Sequence, residues 1–123
     1  GKEVQTLGDT LLNVRKVRKY LPGILYVLEI FDKKEHFYKV GITSNSVKKR
    51  YDAKKSIPYD YEILLEADIG MIDAYEHEQF LISEYSNNKY LPKKRFNGMQ
   101  ECLNINPIAE DERLKEFALL FSE

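Results

Sequence analysis

Cysteine and histidine are scarce in this 123-residue sequence, which contains one cysteine and two histidines. A single cysteine, Cys102, excludes an internal disulfide and a multi-cysteine zinc cluster, and it suits a reducing compartment. His36 and His77 are well separated along the chain. A histidine-rich metal site is therefore disfavoured.

Long apolar segments are also missing from the sequence. No apolar run approaches the roughly 20 residues that a membrane-spanning helix needs. No charged-then-apolar leader resembles a signal peptide. We therefore expect a soluble protein with no membrane partner and, by default, a cytoplasmic location.

The sequence has no large excess of charge of either sign, with a net charge of −1 and an isoelectric point near 6.2. This balance argues against a freestanding nucleic-acid-binding domain, because such domains are usually basic. The basic residues are nevertheless clustered, in Arg15, Lys16, Arg18 and Lys19, in Lys48, Lys49, Arg50, Lys54 and Lys55, and in Lys93, Lys94 and Arg95. Such clusters are more often solvated helix faces, but on one face they could follow a phosphate backbone.

The sequence contains enough apolar residues for one compact domain, since 43% of the chain is hydrophobic and 12% is aromatic. Asp9 or Thr10 is a possible N-cap for an amphipathic helix that ends before Pro22. We predict an N-terminal helical extension over residues 1–21, a core over residues 22–105 and a C-terminal helix over residues 106–123 that packs on the core.

A β-hairpin is predicted over Gly23 to Thr43, where two β-branched and aromatic segments flank the polar sequence DKKE. If Asp32 to Glu35 form the loop, Phe31 pairs with His36 and Leu28 pairs with Lys39. One face then carries Ile24, Tyr26, Leu28, Ile30, Phe37, Lys39, Gly41 and Thr43, and the other carries Leu25, Val27, Tyr38, Val40 and Ile42. Tyr26 and Lys39 become diagonal neighbours. Because both faces are substantially apolar, we expect helices to cover the sheet on both sides.

The remainder of the chain predicts helices around a third strand. A helix is expected from about Val47 to Lys55, with Val47, Arg50, Tyr51 and Lys54 on a shared face, followed by a strand from Ile57 to Ala67. A second helix is expected from Met71 to Tyr85, with an apolar stripe of Met71, Ala74, Tyr75, Leu81, Ile82 and Tyr85. After a polar loop, QECLNI is a short strand or edge segment, and Glu110 to Phe121 is a terminal helix. The expected fold is α/β (α+β), with a small antiparallel sheet of about three strands flanked by helices.

Glu78 stands out because it falls in the middle of the apolar stripe of its helix. A buried carboxylate costs several kcal/mol unless a cation or hydrogen-bond donors meet it. We therefore expect Arg50, Lys39 or a metal ion near Glu78. His77 is its neighbour in sequence but lies about 100° around the helix, outside the site.

The order of these features resembles the GIY-YIG nuclease family. The shared features are a glycine-led hairpin with a tyrosine on its first strand, KVG on its second, an arginine in the next helix and a glutamate in the long helix that follows. The resemblance is closest to the phage- and restriction-associated branch, in which the second motif reads K-I/V-G. It covers Pro22 to Leu103.

The resemblance carries over residue by residue. Tyr26 matches the tyrosine of the first motif, and Lys39, Val40 and Gly41 match the second. Arg50 matches the catalytic arginine and Glu78 the metal-binding glutamate. Lys54 stands where relatives place a histidine or tyrosine, with Tyr51 as the neighbouring candidate. The late asparagine of the family could be Asn97 or Asn104, and FNGMQECL resembles a recurrent F-x-G-x-x-E-C/W-F ending in which Gly98, Glu101 and Cys102 are mainly structural.

The resemblance implies a metal-dependent DNA endonuclease that hydrolyses phosphodiester bonds. Tyr26 would act as general base or position water, while Lys39 and Arg50 would stabilise phosphate charge and lower the pKa of Tyr26. Glu78 would hold one Mg²⁺ or Mn²⁺. The expected catalytic residues are Tyr26, Lys39, Arg50, Lys54 and Glu78, and the expected nucleic-acid contacts are Lys48, Lys49, Arg50, Lys54, Lys93, Lys94, Arg95 and Asn97.

The expected partner is DNA, in a bacterial or phage-infected cell. Because the chain is near neutral, an additional DNA-binding domain, a partner chain or a homodimer would supply further affinity. The main alternative is a non-catalytic nucleic-acid-binding or assembly module on the same fold. A third interpretation, a protein-interaction domain, requires Glu78 to form an ordinary buried ion pair.

Overall fold

A computed structural model describes residues 21–52 and 57–121. The predicted N-terminal helix and Lys54 lie outside these residues. The described chain forms a four-stranded antiparallel sheet in the order β3-β1-β2-β4. The strands are β1 (Ile24–Phe31), β2 (His36–Thr43), β3 (Asp60–Asp68) and β4 (Cys102–Leu103). The predicted α/β class with an antiparallel sheet is confirmed, and the strand beyond the expected three is the two-residue β4 within QECLNI.

The hairpin has the predicted register, with Phe31 opposite His36 and Leu28 opposite Lys39. Its loop closes through a bond from the Asp32 amide to the Glu35 carbonyl, 2.9 Å long. The Asp32 carboxylate also accepts hydrogen bonds from the backbone amides of Lys34 and Glu35. On the other side of β1, the pairing with β3 shifts register between Val27 and Leu28.

Within the described residues, four helices accompany the sheet: α1 (Val47–Asp52), α2 (Met71–Glu84), α3 (Pro107–Glu110) and α4 (Glu112–Phe121). Single 3₁₀ turns occur at Ser86–Asn88 and Met99–Glu101. The predicted terminal helix from Glu110 to Phe121 is interrupted because Asp111 has an extended backbone, and its carboxylate accepts the Leu114 amide at 2.9 Å. Asp111 thereby caps α4. The third strand begins at Asp60, three residues later than predicted.

Each face of the sheet packs its own apolar cluster. The first cluster joins the sheet to α2 and α4 and contains Leu25, Val27, Val40, Leu65, Ala67, Ala74, Leu81, Leu103 and Leu114. The second lies on the opposite face and contains Tyr26, Leu28, Ile30, Phe37, Val47, Tyr51, Tyr59 and Cys102. The predicted separation of the two hairpin faces is confirmed. In the predicted stripe of α2, Ala74 and Leu81 are buried, whereas Met71, Tyr75 and Ile82 are half-buried.

Over the two ranges that the structure describes, no helix combines the length and the apolar character needed to cross a membrane.

Candidate functional site

The phenol of Tyr26 lies in a space that Gly41 leaves open. The two residues are paired across β1 and β2. A Cβ at position 41 would overlap the hydroxyl and ring carbons of Tyr26. The Tyr26 side chain is 0% exposed, and its hydroxyl shares a 2.7 Å hydrogen bond with that of Tyr51. The glycine of KVG is therefore needed for the packing of the tyrosine.

Lys39 is almost completely buried beside Tyr26. Its Nζ lies 5.7 Å from the centroid of the Tyr26 ring. Nζ donates to Glu101 Oε1 at 3.0 Å and to the Val40 carbonyl at 3.3 Å. Gly98, with φ of +85°, packs so closely that a Cβ there would lie 3.0 Å from Nζ. The Lys39 ammonium is thus held by one carboxylate, one carbonyl and an aromatic face.

Helix α1 brings Arg50 and Tyr51 to the same side of the sheet. Val47 and Tyr51 are buried, and Tyr51 supplies the hydroxyl that meets Tyr26. Arg50, predicted to share a face with Val47 and Tyr51, is exposed, and its guanidinium carbon lies 5.5 Å from the centroid of the Tyr51 ring. Arg50 Nη1 donates to the Ile42 carbonyl at 2.9 Å, which ties α1 to the end of β2.

Glu78 is buried between Ala74 and Leu81 on α2. Burial raises the pKa of Glu78 to about 7, and the negative charge of Glu101 adds to the shift. The charges of Lys39 and Arg50 and a 3.3 Å hydrogen bond from Gln79 act in the opposite direction. The structure therefore brings Tyr26, Lys39, Arg50 and Glu78 within electrostatic range of one another, as Arg50 and Glu78 also act on the pKa of Tyr26.

Arg50 lowers the pKa of Tyr26 as expected, but the expected net fall in that pKa is wrong for this structure. Burial raises the pKa of Tyr26 above its ordinary value of 10.0 and outweighs both the hydrogen bond from Tyr51 and the charge of Arg50. Removing water disfavours the phenolate more than a nearby cation favours it. Tyr26 is a neutral phenol at pH 7.

Residues 23–118 match the model of the T5orf172 domain family. The chain belongs to the T5orf172 domain family. These domains occur in phage and restriction-like nucleases of the GIY-YIG or HNH type, so the chain is a nuclease-like or DNA-binding module. No curated protein and no solved structure matches it.

The two candidate asparagines of this T5orf172 domain differ in their surroundings. Asn104 is engaged with Asn88, because its side chain accepts from that of Asn88 at 3.2 Å and its amide donates to the Asn88 carbonyl at 2.8 Å. Asn97 is exposed and precedes Gly98, which touches Lys39. Asn97 is thus the candidate that adjoins a residue in contact with Lys39.

The other predicted nucleic-acid contacts lie in two exposed groups, Lys48 and Lys49 on α1 and Lys93, Lys94 and Arg95 in the loop after α2. Lys94 is partly committed to the fold, because its Nζ pairs with Asp32 Oδ2 at 2.9 Å and lies 5.0 Å from the Tyr59 ring centroid. His36 is at the surface. His77 packs against Phe117 of α4, with its ring centroid 5.5 Å away.

Glu101 is the site residue whose contacts the sequence did not predict. The sequence pattern predicts a mainly structural role for it, yet it binds Lys39 directly and raises the pKa values of Tyr26 and Glu78. The available signal was the F-x-G-x-x-E pattern, which fixes Glu101 at one turn from Gly98. Its partner lies 62 positions earlier in the chain, a separation that no local pattern encodes.

A metal ion at Glu78 would have few protein ligands. In residues 21–52 and 57–121, no three His, Cys, Asp or Glu side chains form a group that could hold a metal ion. A cation bound at Glu78 would therefore have one or two protein carboxylates, and Mg²⁺ tolerates this because it retains several waters.

Proposed function

We propose that this T5orf172 domain is a metal-dependent DNA endonuclease of GIY-YIG type. The observation that carries the proposal is the proximity of Tyr26, Lys39, Arg50 and Glu78, which come from two strands and two helices. Packing alone does not account for the burial of both a lysine and a glutamate in so small a protein, because each has a large cost of desolvation.

The scissile phosphate would be bound by Arg50 and Lys39. Arg50 is exposed, so its guanidinium is the first cation that a phosphate would reach, and its planar fork suits two phosphate oxygens. Lys39 lies deeper, with a fixed ammonium beside the Tyr26 ring. Fixed positive charge at the non-bridging oxygens stabilises the transition state for hydrolysis.

Tyr26 would orient the attacking water through its neutral hydroxyl. Its raised pKa disfavours direct action as a base in the present arrangement. The hydrogen bond between Tyr26 and Tyr51 fixes the direction of the phenol oxygen. Tyr51, the candidate that neighbours Lys54, is then an α1 residue that assists the first-motif tyrosine.

Glu78 would hold the divalent cation, Mg²⁺ or Mn²⁺. The fit is chemical, because Glu78 is a buried carboxylate whose pKa is raised to about 7 by burial and by Glu101, and a cation would relieve both effects. A bound metal would supply Lewis-acid stabilisation of the phosphate and the leaving oxygen. Loss of the Glu78 proton is then coupled to metal binding.

Incubation of the protein with supercoiled plasmid and Mg²⁺ or Mn²⁺ tests the proposal. We expect nicking by the wild type, loss of nicking in Glu78→Ala and strong impairment in Arg50→Lys, since an ammonium does not reproduce bidentate phosphate binding. Glu84→Gln, which removes an exposed carboxylate from the same helix, is the matched control. Equal nicking by Glu78→Ala and the wild type would remove Glu78 from its role.

A binding module without catalysis is the second candidate. It is favoured by the burial of Tyr26, Lys39 and Tyr51, whose side chains are 0%, 1% and 3% exposed, because a phosphate reaches them only if the site opens. DNA binding that is unchanged in Glu78→Ala, without cleavage of any substrate in either metal, would establish this alternative.

A further inference from the structure

The loop of the β1–β2 hairpin is bonded to the basic loop that follows α2. Glu35, 7% exposed, accepts three hydrogen bonds at its carboxylate: from the Tyr59 hydroxyl at 2.6 Å, the Tyr90 hydroxyl at 2.5 Å and the Lys93 amide at 3.1 Å. The Lys94 amide donates in turn to the Tyr59 hydroxyl at 3.0 Å. Two loops 58 residues apart in sequence are therefore held as one unit.

The acidic side chains of this unit are engaged in hydrogen bonds and an ion pair within it, whereas most of its cationic side chains are exposed at the surface. Although burial would raise the pKa of Glu35, its three hydrogen bonds hold that pKa below the ordinary value, so the buried carboxylate stays charged. Asp32 is paired with Lys94. The remaining cations of the unit are exposed: Lys33 and Lys34 on the hairpin loop and Lys93 and Arg95 on the second loop. We call these four residues the basic tip.

We propose that the basic tip is a second contact surface for double-stranded DNA, which binds the phosphate backbone at a fixed distance from the site. Tyr26 in the site and Phe31 next to the hairpin loop lie on the same strand, β1, and are separated by the length of chain from 26 to 31. At about 3.3 Å per residue this separation is about 17 Å. It corresponds to about five base pairs at about 3.4 Å each.

A duplex fits this surface better than a flexible single strand, because one rigid hairpin connects the site to the tip and a duplex is straight over this length. The distribution of charge also suits DNA binding at the tip. The chain as a whole has a net charge of −1, yet the tip concentrates four cations in the loops at one end of the sheet. The inference rests on the proposed function for its substrate class. It adds a footprint of about five base pairs to one side of the scissile phosphate.

Binding of fluorescent DNA without metal, measured over a range of salt concentrations, tests the basic tip. The variants are Lys33→Gln/Lys34→Gln and Lys93→Gln/Arg95→Gln, and the matched control is Arg113→Gln/Lys115→Gln on α4, where both residues are exposed. Each tip variant should bind duplex several-fold more weakly. The slope of log affinity against log salt should fall in magnitude by about 1 for each phosphate that the variant no longer neutralises.

The control should keep the wild-type slope, and the wild type should gain affinity when a short duplex is extended past about five base pairs, a gain that the tip variants lack. Wild-type slopes in both tip variants, an equal loss in the α4 control, or equally tight binding of a single strand of the same length would overturn the inference. Duplex binding that depends on the tip in a protein that does not nick plasmid would leave the inference intact and reject the nuclease. Nicking that is independent of the tip would do the reverse.

Discussion

At the scale of single residues, Gly41 determines where the phenol of Tyr26 can lie. The Tyr26 ring packs directly over the Cα of Gly41, and its hydroxyl meets Tyr51. The sequence shows KVG as a motif, but the reason for its glycine is the aromatic ring on the opposite strand. A side chain at position 41 and the phenol of Tyr26 compete for the same volume.

Gly41→Ala should therefore destabilise the protein and disturb the Tyr26–Tyr51 hydrogen bond. We expect a loss of about 1–3 kcal/mol in the free energy of unfolding, the usual cost of overpacking a core. Urea denaturation of a double-mutant cycle with Tyr26→Ala checks the cause. If Gly41→Ala lowers the free energy of unfolding as much in the Tyr26→Ala background as in the wild type, overlap with the Tyr26 ring is not the cause of the loss.

The contact between Lys39 and Glu101 makes a second prediction at this scale. Glu101→Gln leaves the ammonium of Lys39 buried without its carboxylate, and we expect a loss of about 1–2 kcal/mol in the free energy of unfolding. Lys39→Met/Glu101→Gln should recover part of the loss, because it removes the buried charge as well. Glu110→Gln, an exposed carboxylate, is the control. A double variant less stable than Glu101→Gln would contradict this account.

At the scale of elements, the hairpin loop and the loop after α2 are joined through Glu35. Its carboxylate receives three donors, so the position of the basic loop depends on a residue of the β1–β2 turn. Tyr90 takes part in two ways, since its ring also stacks on Phe37 of β2 with centroids 4.8 Å apart. The hydroxyl can be removed while the stacking is kept.

Tyr90→Phe should loosen the basic loop without unfolding the sheet. We expect a loss of about 1 kcal/mol in the free energy of unfolding and faster hydrogen exchange at the amides of Lys93 and Lys94. Tyr38→Phe, which removes the hydroxyl of a half-buried tyrosine on β2, should change neither quantity. Exchange at the Lys93 and Lys94 amides that stays at the wild-type rate in Tyr90→Phe would show that Glu35 does not hold the loop through Tyr90.

At the scale of the whole molecule, the buried charge of Glu78 couples stability to pH. The pKa of Glu78 is raised from 4.5 to about 7, mainly by burial. Between these two values the folded state binds more protons than the unfolded state. The contribution of Glu78 to the free energy of unfolding therefore falls as the pH rises from about 4.5 to about 7.

Glu78→Gln should remove this contribution. Relative to the wild type, the variant should gain stability steadily across that pH range, by roughly 2–3 kcal/mol in total. Urea denaturation of both proteins at pH 4.5, 6 and 7.5, without added metal, measures this difference in stability. These pH values span roughly the range over which Glu78 titrates. Glu84→Gln should follow the wild type. Parallel curves for wild type and Glu78→Gln would mean that Glu78 titrates normally.

The sequence by itself determined the hairpin register, the antiparallel class and the special position of Glu78. These follow from local rules: alternation along Ile24–Phe31 and His36–Thr43, a four-residue polar loop, and the 3.6-residue period of α2. A two-residue strand such as β4 has no period to detect, and the break at Asp111 depends on a cap that competes with helix continuation. The strand count and the terminal helix were therefore less well predicted.

Tertiary structure alone decided which side chains meet and how they ionise. Tyr51 joins Tyr26 across 25 residues, Lys39 joins Glu101 across 62, and Glu35 joins Lys93 across 58. Such contacts depend on how loops pack, which no periodic pattern records. The pKa of Tyr26 was misjudged for the same reason: the sequence shows the charges near a tyrosine, but only the fold sets how much water is removed from it.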